Sequence, residues 1–201
     1  DWVGIGSLGR LVRLLKKNKC EEVVFAGPVK RPSFKSLTID WVGMRLLPKV
    51  LTAARQGDGA LLSLFVDEME AQGFRVVGAE QVATDLVAPF GTLGARAPSH
   101  SDMDDIAKGI NVVTQLGLLD IGQSAVVKGG LVLGVEAAEG TDALLDRCGG
   151  LTGDGGGVLV KIAKPDQERR VDLPTVGVTT VRNAISAKLN GIAFEGQGTL
   201  L

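Results

Sequence analysis

The chain has 201 residues, 45% of them hydrophobic, with positive mean hydropathy and a formal net charge of -1. That composition argues against disorder, allows one good core or two small ones of roughly 100 residues each, and excludes a globally basic nucleic-acid binder. Only Cys20 and Cys148 are present, without CxxC spacing; they exclude a disulfide scaffold and fit a reducing, cytoplasmic home, while the apolar stretches fall far short of the ~20 residues that span a bilayer, so the chain reads as soluble or at most peripheral.

In chain order, Gly4-Ile5-Gly6-Ser7-Leu8-Gly9 opens a helix over 8–19, and 22–26 is a short apolar strand. A turn-rich connector, 28–33, carries Lys30 and Arg31. The next strong helix runs over 59–72, where Leu61, Leu62, Phe65, Val66 and Met69 share one face, Asp58 can cap the start and Gly73 ends it. Residues 75–78 form a strand. The stretch 88–99, with Pro89, Gly91, Gly94 and Pro98, reads as a boundary between two halves, 1–95 and 96–201.

The second half opens on a helix over 102–116, capped by Ser101 or Asp102, with Ile106, Ile110 and Val113 at helical spacing. The apolar runs 125–127 and 131–135 flank Lys128-Gly129-Gly130 as a hairpin would. Glu139-Gly140-Thr141-Asp142 leads into a short helix, 149–157 is a flexible loop, and 158–163 is a strand. A helix over 180–189, for which Thr179 is a cap, and a strand over 191–195 complete the reading. Helices interleaved with strands give the α/β class. Because the chain starts at Asp1 rather than Met and stops in the apolar Gly198-Thr199-Leu200-Leu201, it reads as a fragment.

The chemistry narrows by elimination. Gly4 to Gly9 match GxGxxG, but only three residues precede Gly4 and the following strand ends Phe25-Ala26-Gly27-Pro28 without an acidic residue. A tight structural turn fits better than a dinucleotide fingerprint, and a nucleotide-dependent oxidoreductase stays as the alternative. His100 is the only histidine, which removes dinuclear His-rich phosphoesterases and HExxH hydrolases, and neither cysteine has a nucleophile motif beside it. Residues 153–157 lack the Lys-Ser or Lys-Thr of a P-loop.

What remains is carboxylate chemistry. Asp58, Asp142 and Asp172 lie just before or at predicted helix starts, where backbone N–H groups and the helix dipole favour anions, and each can be a simple cap. Asp172 lies further from its helix than a cap should. It is displayed at a strand end inside Lys164-Pro165-Asp166-Gln167-Glu168-Arg169-Arg170-Val171-Asp172-Leu173-Pro174-Thr175-Val176-Gly177. Lys164, Arg169 and Arg170 in that segment can hold a diphosphate or simply solvate a strand end.

Six segments in order carry a resemblance. They are Phe25-Ala26-Gly27; Ala54-Arg55-Gln56-Gly57-Asp58 followed by Ala60-Leu61-Leu62; Asp120-Ile121-Gly122-Gln123; Val135-Glu136-Ala137 with Glu139-Gly140-Thr141-Asp142-Ala143; Lys164-Pro165 with Gln167; and Asp172-Leu173-Pro174-Thr175-Val176-Gly177. Together they resemble the UDP-2,3-diacylglucosamine pyrophosphatases of lipid A synthesis, the type without a calcineurin-like dimetal motif. The resemblance implies two α/β domains, the N-terminal one Rossmann-like, with the active site in the cleft between them. It implies Mg2+-dependent hydrolysis to UMP and 2,3-diacylglucosamine 1-phosphate by attack at the sugar-linked phosphorus.

Asp172 would then be the essential carboxylate, holding the metal or orienting water, and Asp58, Gln123, Thr141, Asp142 and Gln167 would line or approach the substrate, with Lys164 meeting charge on the diphosphate. The acylated substrate implies peripheral contact with the inner membrane. The family's first strand with its Gly-rich loop and its last elements have no counterpart in this sequence. A sugar-nucleotide or lipid-binding module without turnover is the remaining reading.

Overall fold

The structure is a computed structural model that describes residues 1–27, 38–165 and 167–201, with the side chains of Gln56 and Asp58 outside the description. Lys30, Arg31 and Asp166 also lie outside the described residues. Two compact units form: residues 1–82 with 168–172, and residues 83–167 with 173–201. Both mix helices and strands, as expected for an α/β protein.

In the first unit, α1 (Leu8–Lys17) is followed by β1 (Glu22–Val24), α2 (Trp41–Gln56), α3 (Asp58–Ala71), β2 (Arg75–Val77) and the short α4 (Ala79–Val82). β1 and β2 pair in parallel with Val23 opposite Val76, and a helical crossover is what a parallel pair requires. Leu8, Val12, Leu46, Val66, Met69, Phe74 and Val76 form the core, with Val171 packed against it. Helix α2 is absent from the sequence reading, because Gly43 and Pro48 interrupt its pattern; its start is fixed by the Asp40 carboxylate, which accepts from Gly43 N at 3.0 Å. Asp58 is the first residue of α3 rather than its cap, the N-cap position being Gly57.

The second unit contains α5 (His100–Leu118), β3 (Ser124–Lys128), β4 (Leu131–Val135), α6 (Thr141–Gly149), β5 (Val158–Lys161), α7 (Val178–Ser186) and β6 (Gly191–Phe194). The sheet order is β4-β3-β5-β6, with β3 antiparallel to both neighbours and β5 parallel to β6. The expected hairpin is present, and Gly129 and Gly130 both take positive φ at its turn. Strand alternation splits the core between two faces. Val126 and Leu159 pack with Leu144, Leu145, Cys148 and Ala184 of α6 and α7, whereas Ala125, Val158 and Val160 pack with Val113 of α5. Central β3 and β5 are covered on both sides, which is why they read as unbroken apolar runs.

Two helix starts differ from the sequence reading. α5 is capped by Ser99, not Ser101 or Asp102; Asp102 is the third helical residue, and its carboxylate closes a capping box on Ser99. α7 begins at Val178 after Gly177, so Thr179 lies inside the helix and is not its cap.

Candidate active site

The register places Val135, Ser124, Lys161 and Phe194 along one edge of the second unit's sheet. That edge holds the carboxyl ends of β4, β5 and β6, the customary ligand side of an open α/β sheet. The segments leaving it contain Glu136 to Asp142, Lys164 to Gly177 and Glu195, and Gln123 enters β3 from the same edge.

A buried polar network organises the β4 side. Glu136 is 7% exposed. Its carboxylate accepts from Ser124 Oγ, from Thr141 Oγ1 at 3.2 Å and from Gln123 N at 3.4 Å. Thr141, also buried, is the first residue of α6, and Asp142 stands exposed in the first helical turn with Thr180 Oγ1 of α7 at 3.5 Å. Gln123 and Thr141, both expected at the site, are thus joined through Glu136. The sequence reading assigned Glu136 no role, although it lies inside one of the quoted segments; the only local signal is an acidic residue ending an apolar strand.

On the β5 side, Lys164 N donates to Gln167 Oε1 at 2.8 Å, and Lys164 Nζ pairs with Asp120 Oδ1 at 2.5 Å. Two buried amide atoms stand out: Gln123 Oε1 and Gln167 Nε2 have no hydrogen-bond partner among the described residues. Buried polar atoms are rarely left so. One is an acceptor and the other a donor, and both belong to residues expected to bind substrate.

Asp172 is half-buried and lies not at a strand end but eleven residues beyond β5, after a turn in which Val171 N and Asp172 N both donate to Glu168 O at 3.1 Å. No hydrogen bond or ion pair engages its carboxylate among the described residues. The turn is anchored within the first unit: Arg170 reaches Glu168 with Nε at 2.9 Å and Nη2 at 2.8 Å, and Glu70 of α3 with Nη1 at 2.6 Å. These carboxylates raise the Arg170 pKa above its ordinary value, and the Arg170 hydrogen bond lowers that of Glu168. Arg170 therefore clamps the turn instead of standing open to a diphosphate, one of the roles its sequence allowed.

Downstream of Asp172 the backbone is pinned as well. Leu200 N donates to Pro174 O and Val176 N to Leu200 O, each at 2.9 Å. The buried Lys161 donates from Nζ to Thr175 O at 3.0 Å, a second role the sequence did not show.

Gly6 and Gly9 serve packing: a Cβ on Gly6 would meet Thr38 O at 2.6 Å, and one on Gly9 would meet Val42 Cγ2 at 2.8 Å. Asp40 Oδ2 accepts from Arg10 N at 3.0 Å in the first turn of α1, so a side-chain anion already takes the place where a dinucleotide's pyrophosphate would sit. Exposed His100 lies 3.9 Å from Asp104 on the surface of α5. Burial pushes the Cys148 thiol pKa up, away from reactivity. Among the described residues no three His, Cys, Asp or Glu side chains cluster as metal ligands.

Known proteins match the chain in two parts. A family model described as the LpxI N-terminal domain matches residues 1–86, and one described as the LpxI C-terminal domain matches residues 89–201. A curated relative from Caulobacter vibrioides, named UDP-2,3-diacylglucosamine pyrophosphatase LpxI, is 47% identical over 206 residues, covering 99% of this chain and 73% of the relative.

Proposed function

Because the chain belongs to the LpxI family, we propose that it is an enzyme hydrolysing the diphosphate of UDP-2,3-diacylglucosamine, yielding UMP and 2,3-diacylglucosamine 1-phosphate for lipid A synthesis. The observation that carries this reading is identity of 47% running through 99% of the chain. Mg2+, the role of Asp172 and attack at the sugar-linked phosphorus come from the resemblance, and the geometry around Asp172 supports them.

Asp172 is the essential carboxylate. It is half-buried, lacks a protein partner among the described residues, and is fixed by a clamped turn before it and a pinned backbone after it. The residues fit Mg2+, which takes one or two carboxylates and completes its shell with water and substrate phosphate oxygens, so a cage of three acids is not needed. Asp172 would hold that ion, which supplies charge neutralisation at the diphosphate oxygens. Water attacks the sugar-linked phosphorus, the bond from that phosphorus to the bridging oxygen breaks, and the electron pair leaves with UMP. The attacking water loses its protons to solvent.

Gln123 and Gln167 offer the substrate an acceptor and a donor that are otherwise unpaired, Thr141 and Asp142 present the start of α6, and Lys164, whose ammonium pairs with Asp120, contacts the substrate beside Gln167, which its backbone N–H orients. Asp58, whose side chain lies outside the description, is proposed as a substrate contact on the resemblance alone. The protein acts in the cytoplasm with peripheral contact at the inner membrane, where a diacylated substrate resides; no helix among the described residues is long and apolar enough to cross a membrane.

Incubation of the protein with UDP-2,3-diacylglucosamine in H2(18)O tests the reading. UMP release that needs Mg2+, with the label in the lipid phosphate, is expected; binding without product would indicate a non-catalytic module instead.

A further inference from the structure

The sequence has two tryptophans, and both are exposed: Trp2 by 97% and Trp41 by 80%. Large aromatic rings seldom stay in water without a use. Trp41 begins a stripe on α2, with Met44, Pro48, Leu51 and Arg55 following at spacings of three and four residues, all exposed. That is one helical face. The opposite face of α2 supplies Leu46 and Ala53 to the interior, so the helix carries a second apolar surface that points outward.

Charge says what should cover it. Helices α1 and α2 carry seven basic side chains (Arg10, Arg13, Lys16, Lys17, Arg45, Lys49 and Arg55) and no acidic ones. Residues 1–56 contain eleven basic against four acidic side chains, and residues 57–201 eleven against nineteen. A protein of net charge -1 has thus gathered its positive charge on the part that bears the exposed tryptophans. Trp, Leu and Met interleaved with Lys and Arg, along a helix without a single acidic side chain, is the chemistry of an interfacial helix lying on anionic lipid.

A second copy fits less well. A two-fold pairing through this face would bring the like-charged residues of two α2 helices together. A polyanion such as nucleic acid would satisfy the cations but not the apolar stripe.

We propose that the outer face of α2, from Trp41 to Arg55, docks the protein on an anionic phospholipid bilayer, with Trp41, Met44 and Leu51 entering the headgroup boundary and Lys49 and Arg55 meeting lipid phosphates, while Arg45 lies 3.8 Å from Glu68 of α3. Beside it, a groove of about 530 Å³ between α2 and α3 opens on the same helix; its lining is mostly apolar, with Pro48, Ala53, Ala60 and Leu64, and holds one cation and one carboxylate, Lys49 and Asp67. The inference deepens the lipid-substrate reading by naming the surface that reaches the bilayer, but it stands on exposure and charge and is tested without catalysis.

The test uses the full chain with Trp2→Phe, which leaves Trp41 as the sole tryptophan reporter, titrated with vesicles of phosphatidylcholine alone or mixed with phosphatidylglycerol. A blue shift of Trp41 emission and co-sedimentation are expected with the anionic vesicles only, weakening as salt rises. Lys49→Gln with Arg55→Gln lowers the partition coefficient roughly thirtyfold, at about fivefold per cation. Trp41→Ser abolishes sedimentation at unchanged charge, whereas Arg182→Gln, an exposed cation on α7, leaves it intact.

Equal binding to neutral vesicles, or none to anionic ones, overturns the proposal. So does Trp41 emission that is already blue-shifted without lipid and reverts on dilution, which identifies a second copy as the occupant, and so does tighter retention by single-stranded DNA than by vesicles. Hydrolysis of detergent-dispersed substrate by the same variants controls for folding and should match wild type. If the wild-type chain hydrolyses none, the diphosphatase reading fails while the vesicle result still decides the docking face.

Discussion

Replacing Glu70 by Gln separates two roles for Arg170. In the structure Arg170 makes three short contacts to carboxylates, one of them to Glu70 at 2.6 Å, and so holds the turn that leads into Asp172. Both partners of that contact are more than a third exposed, at 36% and 43%, so the exposed-pair range governs and Glu70→Gln should cost about 0.5–1 kcal/mol. If that energy keeps the turn in place, kcat falls about two- to fivefold, since 1.4 kcal/mol is a factor of ten. Arg170→Gln removes the Glu168 contacts as well and should lower kcat by roughly thirtyfold, consistent with a loss of about 2 kcal/mol. Steady-state kinetics on both variants and on the double variant, with thermal melts beside them, check this. The double variant should be no worse than Arg170→Gln alone. A Glu70→Gln protein with lower KM and unchanged kcat would refute the clamp, because freeing a guanidinium that binds diphosphate strengthens substrate binding.

Three further outcomes follow from the geometry. Gly122→Ala would put a Cβ 2.2 Å from Glu136 O, forcing the backbone that presents the buried Glu136; calorimetry should show a loss of about 1–3 kcal/mol, and an unchanged melt would contradict that packing. Gln123→Ala and Gln167→Ala each remove a side chain holding an unpaired buried atom, so KM should rise about tenfold; the melting temperature changes little for Gln123→Ala, whereas Gln167→Ala also loses the bond from Lys164 N and about 1 kcal/mol of stability, and unchanged KM in both would mean that the amides serve the fold alone. Hydrogen bonds from Arg170 to Glu168, and from Asn190 and then Ser99 to Asp102, hold both carboxyl pKa values below their ordinary 4.5 and 3.8. A lowered folded-state pKa stabilises above the ordinary value and loses that contribution as pH falls through the folded one. Melting temperature should therefore drop on acidification below pH 4.5, and Asn190→Ala should flatten the part of that drop below pH 3.8; a variant with the wild-type slope would remove Asp102 from the explanation.

Much of the second unit was legible because its signals are local. Gly129-Gly130 between apolar runs marks a hairpin wherever the chain goes afterwards. Helix α2 was not, since Pro48 and Gly43 argue against a helix in isolation and the Asp40 cap and the contact with α1 decide otherwise. Its outward Trp41, Met44 and Leu51 mix with the inward residues to blur any periodicity. The start of α5 was misplaced by the same logic that locates caps: Ser101 and Asp102 are both good caps, but Ser99 gains a reciprocal bond from Asp102 that neither alternative offers.

Among the residues proposed for the site, Gln123, Thr141, Lys164 and Gln167 come from resemblance to a family, and the structure adds that Gln123 and Thr141 meet at Glu136 and that Lys164 bonds Gln167. Glu136 draws its partners from positions five to thirteen residues away, and Lys161 meets Thr175 fourteen residues on. Such pairings depend on the sheet and do not appear in a linear pattern. Arg170 shows the converse: a cation beside an acid in sequence suggests a phosphate grip until Glu70, one hundred residues away, is seen to occupy it.

The most direct measurement is UMP release from UDP-2,3-diacylglucosamine by the Asp172→Asn protein, with substrate binding followed in parallel in the presence of Mg2+. Binding within a few-fold of wild type and turnover lower by at least about a hundredfold are predicted, the order expected when a group acting mainly on the transition state is removed. Turnover near the wild-type rate would contradict the assignment of the chemistry to Asp172.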